Sequence, residues 1–221
     1  MDLREHFEKI DLERLILLPV FAFLILVNAS GAYSCLMKNS LFSDVCSTMQ
    51  ILHKGLMVCF YMLIVALFFM RIKPKATSRS FSARALAYAG TFTPFLLIFT
   101  KSPRTNIAPA FFSIVIMTCG MLFSIYSLKT LGRSFGITPQ ARALVQTGPY
   151  RFIRHPLYLG EIVAFGGAVL TGFTITKLGI FLLLTVIQSY RAVQEEKLLE
   201  ETIPEYAAYK AATTRFIPGV L

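Results

Sequence analysis

Residues 107–128 read IAPAFFSIVIMTCGMLFSIYSL, twenty-two consecutive positions without a charge. As a helix rising 1.5 Å per residue such a run covers about 33 Å, which matches a hydrocarbon core of about 30 Å. Lys101 and Arg104 precede it and Lys129 follows it, so charge returns only where a membrane would end. Working outward, comparable apolar segments lie near 15–36 and 49–70 upstream and near 157–173 and 178–193 downstream. A shorter one near 85–100 holds Pro94, which predicts a kink. The last two segments are separated only by residues 174–177, which predicts an antiparallel helical hairpin. The expected fold is all-α, a polytopic integral membrane bundle of about six transmembrane helices. It forms one domain, with four spans in residues 1–128 and a loop, hairpin and tail in residues 129–221.

Composition agrees. The chain of 221 residues is 55% hydrophobic and 15% charged, whereas soluble domains carry about 25% charge. Its formal net charge of +10 would suggest nucleic acid in a soluble protein, but here the basic residues sit between apolar runs, so no nucleic-acid partner is expected. Counted from the N-terminus, Lys and Arg in the segments between spans number 3, 1, 5, 2, 5, 1 and 4. This strict alternation puts both termini in the cytoplasm by the positive-inside rule; plasma membrane and endoplasmic reticulum give the same pattern. Residues 1–14 hold five acidic and three basic residues, unlike a signal peptide. Of the four cysteines, Cys59 and Cys119 fall within apolar runs, and Cys35 and Cys46 flank the first outside loop, where an oxidising compartment would allow a disulfide. No CxxC pair, metal-ligand spacing, Walker loop, HExxH or GxGxxG is present.

The loop at 129–156 is long for a helix bundle. It holds Gly132, Gly136, Pro139, Gly148, Pro149 and Pro156 together with Phe135, Ile137, Leu144, Val145, Tyr150, Phe152 and Ile153. Turn formers mixed with buried-type residues predict a loop folded back on the bundle rather than a disordered one. Its end, His155-Pro156, opens the fifth helix with Pro in the first turn, and the helix start there is a natural place for an anion. Arg151 and Arg154 stand three apart beside it. At the far end of the sixth span Arg191 and Glu195 share a helical face at i,i+4 spacing, with Glu195 near the expected helix C-terminus. His53-Lys54 reads as a snorkelling pair at the opposite headgroups. Gly166, Gly167 and Gly172 read as close helix packing, and residues 197–210 as an amphipathic surface segment.

Several strings in the C-terminal ninety residues form a recognisable set: Leu131-Gly132, Phe135 and Gln140; Ala143-Leu144-Val145; Thr147-Gly148-Pro149-Tyr150; and Arg154-His155-Pro156-Leu157-Tyr158-Leu159-Gly160. Glu195-Glu196-Lys197-Leu198-Leu199, Glu205-Tyr206, Tyr209-Lys210 and Arg215-Phe216-Ile217-Pro218-Gly219-Val220 follow the hairpin. Together they resemble the isoprenylcysteine carboxyl methyltransferase family and its bacterial and phospholipid methyltransferase relatives. The resemblance implies a membrane enzyme that binds S-adenosyl-L-methionine in a pocket open to the cytoplasm, with no metal. Carried over position by position, it implies that Gln140, Arg142, Ala143, Leu144, Val145, Tyr150, His155, Pro156, Leu157, Tyr158 and Glu195 contact the cofactor. Arg191 would face the substrate's reacting group, with Arg154 and Glu196 in the catalytic motif beside it. The implied partners are membrane lipids and a lipophilic small molecule or lipidated substrate. The acceptor would be a carboxylate, as in isoprenylcysteine, or a thiol or amine. In such a site His155 would hold the cofactor's carboxylate, Tyr150 and the Leu144-Val145 pair would flank its adenine, and Glu195 would meet its amino group. Two other readings stand beside this one. A sterol-reductase-like enzyme would need a nicotinamide and usually more spans, and a small transporter would need ionisable residues deep in nearly charge-free spans.

Overall fold

The computed structural model describes residues 12–38, 45–100 and 107–217. Its helices are α1 Leu12–Lys38, α2 Val45–Met70, α3 Phe81–Phe92, α4 Ile107–Leu131, α5 Pro156–Leu170, α6 Ile175–Thr202 and α7 Tyr206–Ala212. Among the described residues, strand is confined to a ribbon in which β1, Ala76–Thr77, runs antiparallel to β2, Gln140–Ala141. The all-α membrane bundle read from the sequence is borne out. Four helices are long and apolar enough to cross a membrane, over Glu13–Met37, Ser47–Met70, Ala110–Ser134 and Ile175–Thr202. Large apolar side chains on their outer faces, such as Phe23 and Val186 at 63% and 66% exposure, suit hydrocarbon rather than water.

The expected third and fifth spans are shorter. The third is α3 followed by a 3₁₀ run over Thr93–Phe99, with Pro94 in the first turn of that run. The kink expected at Pro94 is this change of helix type, since proline has no N–H for the α-helical ladder. The fifth is α5, whose 15 residues cover about 23 Å, less than the hydrocarbon thickness. Residues 39–44 of the expected first outside loop, residues 101–106 and the closing Pro218-Gly219-Val220 lie outside the described residues. So does the side chain of Cys46; Cys35 is a free thiol.

Two features of packing place the site. α4 and α5 run antiparallel with their backbones nearly touching. A Cβ on Gly120 would fall 2.4 Å from the Ala164 nitrogen, and one on Gly160 would fall 2.9 Å from the Ser124 nitrogen. Of the three glycines expected to pack helices, Gly167 does so against Met117; Gly166 only meets the Phe181 ring, and Gly172, at φ +68°, turns the chain between α5 and α6. The second feature is the length of α6. Expected near 178–193, it continues to Thr202 and stops at Ile203, before Pro204. Glu195 therefore lies about two turns inside a helix, and the opposing macrodipole expected there does not act on it. The segment at 197–210, expected as one amphipathic piece, is divided between the end of α6 and the short α7.

At the end of the bundle where α1 begins and α2 ends, residues 71–80 and 132–142 lie together. Ile72 N–H donates to the Arg133 carbonyl, Lys75 N–H to Ala141 and Ser78 N–H to Pro139. Glu13, 5% exposed, fastens this layer. Its carboxylate accepts from Thr138 N at 2.7 Å, from Thr138 Oγ1 at 2.6 Å, and from the Arg71 guanidinium. The long loop is thus folded onto the bundle, as its apolar content required.

Candidate active site

The site begins where the 3₁₀ turn Gly148–Arg151 delivers the chain to α5. Gly148 has φ +55°, a left-handed conformation that favours glycine, and any Cβ there would press on Thr130 at 3.1 Å. His155 caps α5 and Pro156 opens it. The tail is strapped along this segment: Arg154 N–H donates to the Thr214 carbonyl at 2.8 Å and His155 N–H to Arg215 at 3.1 Å.

Behind His155 lies Glu196, 2% exposed. Its carboxylate accepts from Arg154 Nε at 2.9 Å, from Arg215 Nε at 3.0 Å and from Arg215 Nη2 at 2.9 Å, and meets His155 Nε2 at 3.1 Å. Arg154 also donates to the carbonyls of Lys210 and Thr213. The bonds to Glu196 raise the affinity of Arg215 for its proton. Arg151, by contrast, is exposed and rests over Phe152, so of the two arginines beside His155 only Arg154 belongs to this cluster.

The other face of His155 stacks on Tyr158, with ring centroids 5.5 Å apart and planes 3° from parallel. Tyr158 donates its hydroxyl to Glu195, and the Arg191 guanidinium carbon lies 4.8 Å from the Tyr158 ring centroid. Arg191 donates from Nη1 to Gln188 Oε1 and from Nη2 to the Ile137 carbonyl, both at 2.9 Å. Gly90 makes room for it, since a Cβ there would come within 3.1 Å of Nη1. Gln188 in turn donates to Glu161 on α5. Among the described residues Arg191 and Glu195 form no ion pair; the i,i+4 pair expected from their spacing is replaced by Tyr158, which stands between them.

These groups share one cavity of about 440 Å³. It is lined by Gln140, Arg142, Ala143, Leu144, Val145, Tyr150, His155, Leu157, Tyr158 and Glu195, and also by Arg191 and Arg154. Pro156 and Glu196 do not line it: Pro156 shapes the helix start, and Glu196 faces the arginines behind His155. The cavity then continues between α1, α2, α5 and α6 along Phe21, Leu24, Phe60, Phe165 and Leu184. The buried polar atoms on its wall without a hydrogen-bond partner include Arg191 Nε, the Tyr206 hydroxyl and His53 Nδ1. Burial raises the pKa of Tyr150 and of Tyr206, so both stand as neutral donors. Orphaned buried donors on a cavity wall are what a polar ligand would satisfy.

Sequence reasoning missed several polar lining residues, among them Glu161, Gln188 and His53. Glu161 and Gln188 are polar positions inside apolar helices, and the first is the only charged residue of α5. His53 was read as a snorkelling residue, yet it lines the cavity with Nδ1 buried and without a hydrogen-bond partner. A polar group inside an apolar span was the available signal for all three.

Among curated proteins, the chain is similar to the nickel-cobalt-cadmium resistance protein NccN of Alcaligenes xylosoxydans xylosoxydans. The two are 34% identical over an alignment of 112 positions that covers 48% of this chain and 51% of that protein. The chain thus spans about half the length of the curated relative it matches. The phospholipid methyltransferase family matches residues 109–205, from the start of α4 to the end of α6. The resemblance carried by the C-terminal motifs is therefore borne out over residues 109–205, which have the pattern of the phospholipid methyltransferase family, a family of membrane methyltransferases.

Proposed function

We propose that this protein is an S-adenosyl-L-methionine-dependent methyltransferase acting on a lipid-like acceptor. The observation that carries the reading is the single cavity in which ten of the eleven residues expected at the cofactor meet Arg191 and then an apolar arm. Its volume of about 440 Å³ lies within the range of small-molecule sites. When bound, the sulfonium would supply an electrophilic methyl group, and no metal is needed. The chain's own residues would hold the cofactor. Glu195 would face its positive charges, Tyr150 and the apolar Leu144 and Val145 would flank its base, and the Tyr206 hydroxyl would find an acceptor on it. The apolar arm would take the hydrocarbon part of the acceptor and bring its polar end toward Arg191. Alignment at near-attack distance is the main requirement of such a displacement. The carboxylate acceptor implied by resemblance would bind at Arg191 Nε and the second N–H of a terminal nitrogen, since each terminal nitrogen gives only one of its two N–H groups to Gln188 or Ile137.

The positive-inside count supports a site that opens to the cytoplasm with both termini on that side. The Glu13 junction ties the start of α1 to Thr138, which lines the cavity. Calorimetry with purified protein in detergent tests the reading. Micromolar S-adenosyl-L-methionine binding is expected for wild type, about tenfold weaker in Glu195→Gln and within about threefold of wild type in Arg191→Lys, on the strength of charge-assisted contacts. No binding by folded wild-type protein overturns it.

A further inference from the structure

We propose that Glu161 is the proton-accepting residue of the site, and that the acceptor carries its proton into the cavity on an amine or thiol rather than arriving as a carboxylate. The inference rests on the methyltransferase reading above.

The argument starts from cost. A carboxylate inside an apolar helix is expensive unless something uses it. Glu161 is the only charged residue in α5, and among the described residues its hydrogen bond comes from Gln188. That bond leaves its other oxygen for a ligand. Its position is the second point. Along the cavity-facing side of α5 the order is Tyr158, Glu161, Ala164, Phe165 and Ala168. Tyr158 belongs to the Glu195 end, and the three residues beyond Glu161 belong to the apolar arm. Glu161 is therefore at the junction, where the polar end of an amphiphile would lie with its hydrocarbon in the arm. Arg191, joined to Glu161 through Gln188, would hold the carboxylate in place without donating to it directly.

The chemistry supplies the third point. An ammonium or thiol acceptor must shed a proton to free its nucleophile; the freed lone pair then forms the bond to the methyl carbon, and the carbon–sulfur pair leaves with sulfur as a neutral thioether. A carboxylate beside the nucleophile takes that proton. For a carboxylate acceptor there is no proton to take, and Glu161 would be a second negative charge at the same place, which disfavours binding. A general base in reach of the nucleophile typically contributes about 10²–10⁴ in rate.

The test uses the full-length protein in detergent, with dodecylamine, dodecanethiol and dodecanoate as acceptors and Glu161→Gln and Glu161→Asp as variants. The first readout is binding without turnover: calorimetric affinity for dodecylamine falls about tenfold in Glu161→Gln, while S-adenosyl-L-methionine affinity stays within about twofold. The second is turnover: wild type methylates the amine or the thiol, and Glu161→Gln loses at least about a hundredfold in kcat. If Glu161→Gln does not bind cofactor, Glu161→Asp decides, with an expected loss smaller than that of the neutral variant in mild detergent. Wild type that binds cofactor but methylates only dodecanoate, or none of the three, overturns this inference and leaves the cofactor reading standing. So does a Glu161→Gln enzyme with full turnover. Wild type that binds no cofactor overturns both.

Discussion

Arg191 and Tyr158 face each other across the cavity wall, the guanidinium carbon 4.8 Å from the ring centroid. The contact sets the division of the site. The ring occupies the cation's face, and the hydroxyl at its far end bonds Glu195, so one residue separates the arginine of α6 from the carboxylate one turn further along the same helix. Neither charge is neutralised by the other, and each keeps capacity for a ligand.

Tyr158→Phe separates the two functions of that residue. The ring remains under Arg191 and on His155, while Glu195 loses its donor. Hydrogen bonds to charged groups contribute about 1.5–3 kcal/mol, so S-adenosyl-L-methionine affinity is expected to weaken by roughly tenfold or more with little change in thermal stability. Calorimetry and a thermal melt on the same preparation check both halves; an unchanged affinity would remove Glu195 from the cofactor's surroundings.

The α4–α5 contact predicts a sharp difference between neighbouring glycines. A Cβ on Gly160 would fall 2.4 Å from Ser124 Oγ and 2.9 Å from Ser124 N, whereas one on Gly166 would meet only the Phe181 ring at 3.5 Å. Gly160→Ala is expected to destabilise the bundle by about 1–3 kcal/mol, the usual cost of overpacking, and to disturb Tyr158 two positions away. Gly166→Ala is expected to unfold within about 1 °C of wild type, as an ordinary contact costs little. Thermal unfolding of the two variants side by side measures the difference.

Much of this was legible in the sequence, for identifiable reasons. The run at 107–128 and its neighbours are long enough that length and charge alone decide the class. His155-Pro156 marks a helix start because proline is tolerated in the first turn, and the structure places α5 there. The end of α6 was not legible, because polar residues 194–202 signal a membrane boundary but not the end of a helix; Pro204 was the better stop. Nor did spacing reveal that Tyr158 would come between Arg191 and Glu195, since i,i+4 geometry describes one helix and the interruption comes from another. Glu161 was visible as a charge in an apolar run but was averaged away when the spans were weighed as whole segments. The junction of Glu13 with Thr138 spans 125 positions, and no local pattern carries such a contact.

Glu196 predicts a structural rather than a cofactor phenotype. It bonds Arg154, Arg215 and His155 and does not line the cavity. Glu196→Gln removes the counter-charge of the buried Arg154 and of Arg215, whose side chain is 34% exposed, so the cost is about 3 kcal/mol, the lower end for breaking a buried pair. The expected outcome is a melting temperature lowered by several degrees, release of the tail at 213–217 measured as faster proteolysis, and loss of cofactor affinity only in proportion to the unfolded fraction. Normal stability with selectively lost affinity would place Glu196 in the site after all.

Alkaline pH should act through Tyr209. Its hydroxyl donates to the Tyr150 carbonyl at 2.7 Å, joining α7 to the turn that precedes α5, and burial pushes its pKa up to about 12 from an ordinary value of 10.0. A phenol whose folded-state pKa is raised is held in its neutral form by folding. Its contribution is complete below the unfolded value and is lost as pH rises toward the folded one, because the unfolded chain releases the proton first. The window is therefore pH 10 to 12. Thermal stability should be flat in Tyr209 terms below pH 10 and fall above it. Tyr209→Phe should be less stable than wild type at neutral pH, through the lost hydrogen bond, but show a shallower decline over the same window. Tyr150 and Tyr206, whose pKa values burial also raises, supply the decline that remains. Melting curves of wild type and Tyr209→Phe at pH 8, 10 and 11 make the comparison, and parallel curves through that window would show that the Tyr209 hydroxyl titrates as freely folded as unfolded.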